Sequence, residues 1–169
     1  SREGARGQEF NGFMPKDWNN KPNHTTILPF TRLLSSPMDY TPGIFNLKDY
    51  RYYSQDNREI NPDHHIPSTI SKELALYVVI YAPVQMAADL PEHYEAHLDA
   101  FEFILDVPTD WENTITLNGE IGEYITVVRK DINSDDIQKY IHDISITYNV
   151  DKKTIIKQYY DYIVRNHPE

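Results

Sequence analysis

The sequence predicts an α/β fold in which loops and helices precede a β-hairpin. Between residues 92 and 105, apolar residues recur every three or four positions, which is the spacing of a helix with one buried face. Between residues 111 and 129 the spacing changes to every second residue, which is typical of strands. With 40% hydrophobic residues in a chain of 169, there is also enough apolar material for a core. A folded protein is therefore expected.

Charge and composition exclude several classes of function. The chain has 26 acidic and 16 basic side chains and a formal net charge of -10, whereas affinity for nucleic-acid phosphates comes from clustered Lys and Arg. The longest apolar run, Leu74 to Ala82, falls short of the roughly 18 residues that a membrane-spanning helix needs. Neither a nucleic-acid partner nor a membrane span is expected. The absence of Cys excludes disulfides and thiolate chemistry.

The first part of the chain, up to about residue 67, is rich in Pro, Asn, Gly and Tyr. It shows little periodicity, which predicts long ordered loops. Its best short element is Thr26 to Leu34, where Pro29 argues against both a central strand and a helix interior. The type of this element stays open. Because loops of such length in compact proteins usually serve a function, we expect functional residues in this part.

A buried helix is predicted next. Ser68 or Ser71 is suited to cap a helix that begins near Lys72, and the continuous apolar stretch that follows ends at Pro83. One or two further helical turns are expected over residues 84–89.

The segment from Glu92 to Leu105 is predicted to be an amphipathic helix that ends at Pro108. It contains His93 and His97, whose spacing of four places two imidazoles on one helix face, as in metal sites. The zinc-protease pattern, however, requires Glu directly after the first His, and here Tyr94 holds that position. A polar surface helix is therefore the preferred interpretation of the two histidines.

A pair of β-strands is predicted between Trp111 and Arg129, joined by a turn at Gly-Glu-Ile-Gly, residues 119–122. Two segments then return to helical spacing, Ser134 to Tyr148 and Asp151 to Asn166, each with a suitable N-cap residue at its start. They predict a helical hairpin at the end of the chain.

Two carboxylates lie six residues apart in the opening segment Arg-Glu-Gly-Ala-Arg-Gly-Gln-Glu-Phe, residues 2–10: Glu3 and Glu9. Glycines let the backbone approach a ligand closely, and paired carboxylates can bind a hard cation or divide acid and base work. The spacing alone is a weak signal, because a solvated loop with Arg–Glu pairs explains the same residues.

Five stretches of the sequence carry a resemblance to a known family; they lie at residues 2–10, 23–45, 74–91, 106–111 and 119–129. The most distinctive is Pro-Met-Asp-Tyr-Thr-Pro-Gly at residues 37–43. In this order the five stretches resemble glycoside hydrolase family 97, the calcium-dependent α-glucosidases and α-galactosidases. The resemblance covers residues 2 to about 129.

The resemblance implies a particular fold and extent. Residues 1–130 would form the last part of the family's (β/α)8, or TIM-type, barrel and the start of a β-domain. A complete barrel takes roughly 250 residues, so the resemblance implies a fragment of a longer enzyme. The predicted helical hairpin at residues 131–169 has no match in the family.

The resemblance also implies site residues, a cofactor and a location. Glu9 matches the general acid that protonates the glycosidic oxygen, and Glu3 matches a ligand of calcium, the implied cofactor. The implied substrates are oligosaccharides or α-glycosides with α-linked glucose or galactose. The implied location is periplasmic or secreted.

Several alternatives stay open. Asp39 and Tyr40 either contact sugar or hold the loop, with Asp39 accepting backbone hydrogen bonds. The chain is either a catalytic fragment of a glycosidase or a non-catalytic carbohydrate-binding or protein-interaction module derived from the same fold. A second carboxylate about 5–10 Å from Glu9 would favour the enzyme. Association with the missing barrel half, or self-association, is also left open.

Overall fold

The computed structural model describes residues 5, 7, 20–48, 66–84, 86–132 and 144–147. In chain order these contain helix α1 His24–Ile27, 3-10 turns at Leu28–Phe30 and Arg32–Leu34, helices α2 Ile70–Val79, α3 Pro91–Glu95 and α4 Leu98–Asp106, and strands β1 Trp111–Glu120, β2 Tyr124–Asp131 and β3 Ile144–Thr147. The predicted mixture of helices and strands is confirmed. None of the described helices combines the length and the apolar character needed to cross a membrane.

Helix α2 forms the centre of the core. It packs against Met38 and Tyr40 and against strand β2. Burial of each large apolar side chain in this core stabilises the fold by about 1.5–3 kcal/mol. The core cluster consists of Leu28, Met38, Tyr40, Ala75, Leu76, Val79, Ile80, Ile125 and Val127. The loop before α2 is therefore part of the core, because Met38 is 0% and Tyr40 2% exposed.

The predicted hairpin is confirmed. Strand β1 pairs antiparallel with β2 around a turn in which Gly122 has φ 83°, a conformation that favours glycine. The N–H of Glu123 closes the turn by donating to the carbonyl of Glu120 at 2.9 Å. All pairings of the described strands are antiparallel, whereas a (β/α)8 barrel is built on parallel strands. The partial barrel therefore stays a prediction.

Strand β3 corrects the predicted helix from Ser134 to Tyr148. Residues Ile144–Thr147 pair antiparallel with Tyr124–Val127 of β2, so the helix prediction is wrong over these four residues. The sequence Ile-Ser-Ile-Thr alternates apolar and polar residues and is rich in β-branched side chains, which favour strands. The edge of β2 also offers N–H and C=O groups that need partners. The rest of the predicted helical hairpin, including Asp151 to Asn166, lies outside the described residues.

The predicted helix from Glu92 to Leu105 is two helices, α3 and α4. His97 breaks it with φ -142° and ψ 54°, outside the helical region. The rings of Tyr94 and Phe101 still stack across the break, with centroids 4.6 Å apart. The apolar spacing therefore predicted the shared face but not the break.

Three further local predictions need adjustment. Helix α2 is capped by Thr69, whose hydroxyl accepts from the N–H of Lys72 at 3.1 Å, rather than by Ser68 or Ser71. The described residues within 84–89 contain no helix, so that prediction is wrong. The element at 26–34 consists of the end of α1 and two 3-10 turns, and Pro29 lies in the first turn of one of them, where its missing N–H costs nothing.

Candidate functional site

The opening segment is attached to the core at two described residues. Ala5 packs against the core cluster, and the carbonyl of Gly7 accepts a hydrogen bond from Asn20 Nδ2 at 2.8 Å. Glu3 and Glu9 themselves lie outside the described residues, so their roles stay predictions. The contacts of Ala5 and Gly7 therefore say nothing of the geometry of the two carboxylates.

The loop at residues 38–46, hereafter the box loop, contains most of the distinctive motif and is held from one side by helix α2. Glu73 on this helix is 0% exposed, and its Oε2 accepts from the N–H of Gly43 at 3.0 Å and of Ile44 at 3.4 Å. Its Oε1 accepts from the hydroxyl of Ser68. Both oxygens of this buried carboxyl group thus have partners.

Asp89 holds the box loop from the other side. Its Oδ2 accepts from the N–H groups of Phe45 and Asn46, each at 2.7 Å. Its Oδ1 accepts from the N–H of Leu90 at 2.8 Å and from His93 Nδ1 at 2.6 Å. The Asp89 side chain is 0% exposed, so these four donors replace the water that it has lost.

Two tyrosine hydroxyls complete the attachment of the box loop. Tyr77 donates to the carbonyl of Met86 at 2.8 Å and also lies 3.2 Å from the carbonyl of Pro42. Tyr94 donates to the carbonyl of Gly43 at 2.8 Å. Burial raises the pKa of both phenols, to about 12 for Tyr94, so both remain donors at physiological pH.

The two carboxyl groups that hold the box loop differ in their electrostatics. Burial raises the pKa of Glu73 above its ordinary value, and the hydrogen bonds from Ser68, Gly43 and Ile44 oppose this only in part. For Asp89, burial also acts to raise the pKa, but the hydrogen bond from His93 and those from backbone N–H groups outweigh it and lower the pKa. Relative to an ordinary carboxyl group, burial thus shifts Glu73 toward its neutral form, whereas hydrogen bonding shifts Asp89 toward its ionised form.

A cleft of about 420 Å³ lies beside the box loop, lined by Phe45, Asn46, Leu47, Lys48, Ile70, His93, Ala96 and His97. His93 Nε2 lies 3.2 Å from Asn46 Nδ2, while Nδ1 contacts Asp89. His97 packs edge-on against Phe45, with ring centroids 6.1 Å apart. Because His97 lies at the start of α4, the two histidines do not share one helix face.

The described residues do not form a calcium site by themselves. Ca²⁺ prefers six or more oxygen ligands, and among the residues that the structure describes no three acidic or His side chains come together in a way that could hold a metal ion. Glu3, the residue implied as a ligand, lies outside them. A calcium ion would therefore need ligands from beyond the described part of the chain.

Asp39 lies in the box loop between two core residues, Met38 and Tyr40. Its Oδ1 is buried and has no hydrogen-bond partner among the described residues. The alternative in which Asp39 holds the loop by accepting backbone hydrogen bonds is therefore not observed for this oxygen.

Sequence patterns did not identify Glu73, Tyr77 or Asp89 as residues that hold the box loop. A signal for Glu73 was present, because it is a single acidic residue at the start of a long apolar run that was predicted to be buried. Its spacing of four from Tyr77 also places both on one helix face. Asp89 carried no comparable signal, because it precedes Leu90, the N-cap residue of α3, and does not itself cap that helix.

Comparison with solved structures addresses the resemblance directly. A family 97 glycoside hydrolase from Pseudoalteromonas sp. strain K8, solved in complex with panose, is 44% identical to this chain, with a TM-score of 0.63 over 79% of this chain and 19% of that chain. The same enzyme in complex with acarbose is 45% identical with the same coverage and TM-score. The resemblance to glycoside hydrolase family 97 is confirmed.

Sequence relatives are consistent with family 97. A retaining α-galactosidase of Bacteroides thetaiotaomicron is 33% identical over 125 residues, which is 71% of this chain and 18% of the relative. A probable retaining α-galactosidase of Streptomyces bingchenggensis is 32% identical over 110 residues, which is 65% of this chain and 15% of the relative. No family model matches the chain. The chain thus spans less than a fifth of each relative.

Proposed function

We propose that this chain is part of the catalytic domain of a family 97 glycoside hydrolase that acts on α-linked glucosides or galactosides. The observation that carries this proposal is 44–45% identity to a solved family 97 enzyme over 79% of the chain. Two relatives that bear the name α-galactosidase support the galactoside alternative. The activity of the whole protein is part of the proposal, since the chain covers only 15–19% of these proteins.

In the proposed mechanism Glu9 protonates the glycosidic oxygen as the bond to the sugar breaks. A carboxylic acid in this role must hold its proton near neutral pH, which requires partial removal of its carboxyl group from water. Ala5 packs against the core cluster and the Gly7 carbonyl accepts from Asn20, and both residues stand between Glu3 and Glu9 in the chain. Positioning matters for this role because general acid catalysis depends on hydrogen-bond distance to the leaving oxygen.

The cofactor and location form part of the same proposal and rest on the resemblance. Calcium, with Glu3 among its ligands, would supply a positive charge that orients a sugar hydroxyl or water. Glu3 alone cannot supply the six or more oxygen ligands that Ca²⁺ prefers. Further oxygens must therefore come from residues that the structure does not describe or from other parts of the enzyme. A periplasmic or secreted location is the corresponding proposal for the complete protein.

The test replaces Glu9 by Gln in the longest form of the protein that contains these residues. Hydrolysis of unactivated α-glycosides should fall by about 10²–10⁴-fold, because a positioned acid contributes that much. Aryl α-glycosides should lose much less, since their leaving groups need little protonation. Glu102→Gln is the matched control, because Glu102 is exposed on helix α4.

Two results would contradict parts of the proposal. Equal losses for both substrate types would remove Glu9 from the acid role. If the unmodified protein hydrolysed neither α-glucosides nor α-galactosides, the proposal that it is an enzyme would be contradicted. The non-catalytic carbohydrate-binding or interaction module would then be favoured.

A further inference from the structure

The cleft beside the box loop is large enough for a small molecule and open to solvent. Its volume of about 420 Å³ falls within the range of roughly 300–1,000 Å³ that small-molecule sites occupy. Lys48, Ala96 and His97 in its lining are exposed, and the side chain of His93 is 27% exposed. A ligand can therefore reach this lining from solvent. The proposed mechanism of hydrolysis uses none of these side chains.

The charge of the lining is opposite to that of the chain. Three of the described lining residues, Lys48, His93 and His97, have basic nitrogens, and none of the described lining residues is acidic. The chain as a whole has a formal net charge of -10. A cleft lined by one sign of charge raises the local concentration of ligands of the other sign. The lining therefore favours an anion.

Two polar side chains of the lining are held in place by one buried carboxylate. Asp89 accepts from Nδ1 of His93 at 2.6 Å and from the backbone N–H of Asn46 at 2.7 Å. The Nε2 atom of His93 lies 3.2 Å from Nδ2 of Asn46. The Asp89 side chain is itself 0% exposed, so a ligand in the cleft does not contact it. Side chains that are already ordered lose less conformational entropy when a ligand binds.

The remaining lining residues are apolar: Phe45, Leu47, Ile70 and Ala96. The ring of Phe45 is fixed by an edge-on contact with Tyr94, with centroids 5.0 Å apart. An inorganic ion would leave these apolar walls in contact with water, whereas an organic ligand would cover them and gain from their burial. The walls therefore favour an anion with an apolar part.

We propose that this cleft binds a small organic anion, whose carboxylate or phosphate group accepts hydrogen bonds from Lys48 and Asn46 and whose apolar part packs against Phe45. Oxyanions only accept hydrogen bonds, and the lysine ammonium and the asparagine amide supply donors. Hydrogen bonds between charged partners are the stronger kind. A metal cation is unsuited, because no three acidic or His side chains of the described residues come together to hold one.

The first test compares three probes of similar shape: benzoate, phenyl phosphate and the neutral benzamide. Binding to the longest form of the protein that contains these residues is followed by ligand-observed NMR titration. We expect at least one of the two anions to bind with a dissociation constant of about 1–10 mM, as is usual for so small a ligand. Benzamide should bind about tenfold more weakly or not at all. The tighter of the two anions identifies the preferred oxyanion.

The second test locates the binding in the cleft. Asn46→Asp, which keeps the shape of the side chain, places a carboxylate in the lining and should weaken anion binding about tenfold or more through repulsion. Lys48→Gln should weaken it about threefold, because the charge of an exposed side chain is partly screened. Lys21→Gln is the matched control, since Lys21 is exposed and lies outside the described lining. It should leave binding unchanged.

Several results would overturn the inference. Equal affinity for benzoate and benzamide would remove the anion, and no binding of any probe would remove the site. Equal losses in Lys48→Gln and Lys21→Gln would trace the effect to overall charge instead of the cleft; this comparison holds even if Asn46→Asp fails to fold. Tighter binding of methyl α-D-galactopyranoside than of either anion would assign the cleft to a neutral sugar. Loss of glycoside hydrolysis in Glu9→Gln bears only on the proposed function, because Glu9 is not among the described lining residues.

Discussion

The carboxyl groups found at the two ends of the box loop differ in how completely they are hydrogen-bonded. At the Gly43–Asn46 end, Glu73 and Asp89 have partners for all four oxygens, and most of these partners are N–H groups of the loop itself. At the other end, Asp39 has a buried oxygen without a described partner. Carboxyl groups with complete hydrogen bonding hold a fold together, whereas an incompletely bonded one costs stability. The box loop thus has one end stabilised by complete hydrogen bonding and one end at which a buried carboxylate oxygen costs stability.

The largest effect is expected from Glu73→Ala. The substitution leaves the N–H groups of Gly43 and Ile44 without acceptors in a buried position and removes the partner of Ser68. We expect a loss of about 3–5 kcal/mol in the free energy of unfolding, because each buried donor left without an acceptor costs about 1–3 kcal/mol. Chemical denaturation measures it. Glu102→Ala, on an exposed face, should change stability by less than about 0.5 kcal/mol; similar losses for both would show that Glu73 does not hold the loop.

A smaller effect is expected from Gly43→Ala. Gly43 has φ 91°, and an added Cβ would collide with the hydroxyl of Tyr77, so we expect a loss of about 2–4 kcal/mol from backbone strain and overpacking together. Gly122→Ala is the matched control, because Gly122 has φ 83° and its nearest neighbour to an added Cβ is 3.8 Å away. In this control the free energy of unfolding should fall only by the contribution of backbone strain, about 1–2 kcal/mol. Thermal unfolding that shows equal losses would contradict the close contact with Tyr77.

The pH dependence of stability should separate the two carboxyl groups that hold the loop. The pKa of Glu73 is raised from 4.5, so its stabilisation is complete below pH 4.5 and is lost as pH rises through the raised pKa. The pKa of Asp89 is lowered from 3.8, so its stabilisation is present above pH 3.8 and is lost as pH falls through the lowered pKa. Urea denaturation of Glu73→Gln should therefore lack the decline at higher pH, and Asp89→Asn the decline in acid. If both variants altered the decline on the same side of the pH profile of stability, the assigned directions of the pKa shifts would be wrong.

The sequence predicted elements whose pattern is local and missed contacts between distant residues. Strict alternation identified the hairpin, because strand periodicity is a property of neighbouring residues. Strand β3 depends on a tertiary contact, the open edge of β2. The hydrogen bond of Tyr94 to Gly43, beside the helix break at His97, is likewise a contact between distant residues. Likewise, the distinctive motif drew attention to residues 37–43, but no local pattern shows that Glu73, 30 residues away, holds it.

The smallest effect concerns where helix α2 begins, and thus what positions Glu73. Thr69 accepts from the N–H of Lys72 through its side chain, so Thr69→Ala should lower the free energy of unfolding by about 1 kcal/mol, as loss of an N-cap does. Ser71 lies within the first turn, where Ala is the better helix former, so Ser71→Ala should be neutral or slightly stabilising. Denaturation of the two variants in parallel gives the comparison. The reverse order would restore Ser71 as the cap, and would move the start of the helix relative to the carboxyl group that holds the box loop.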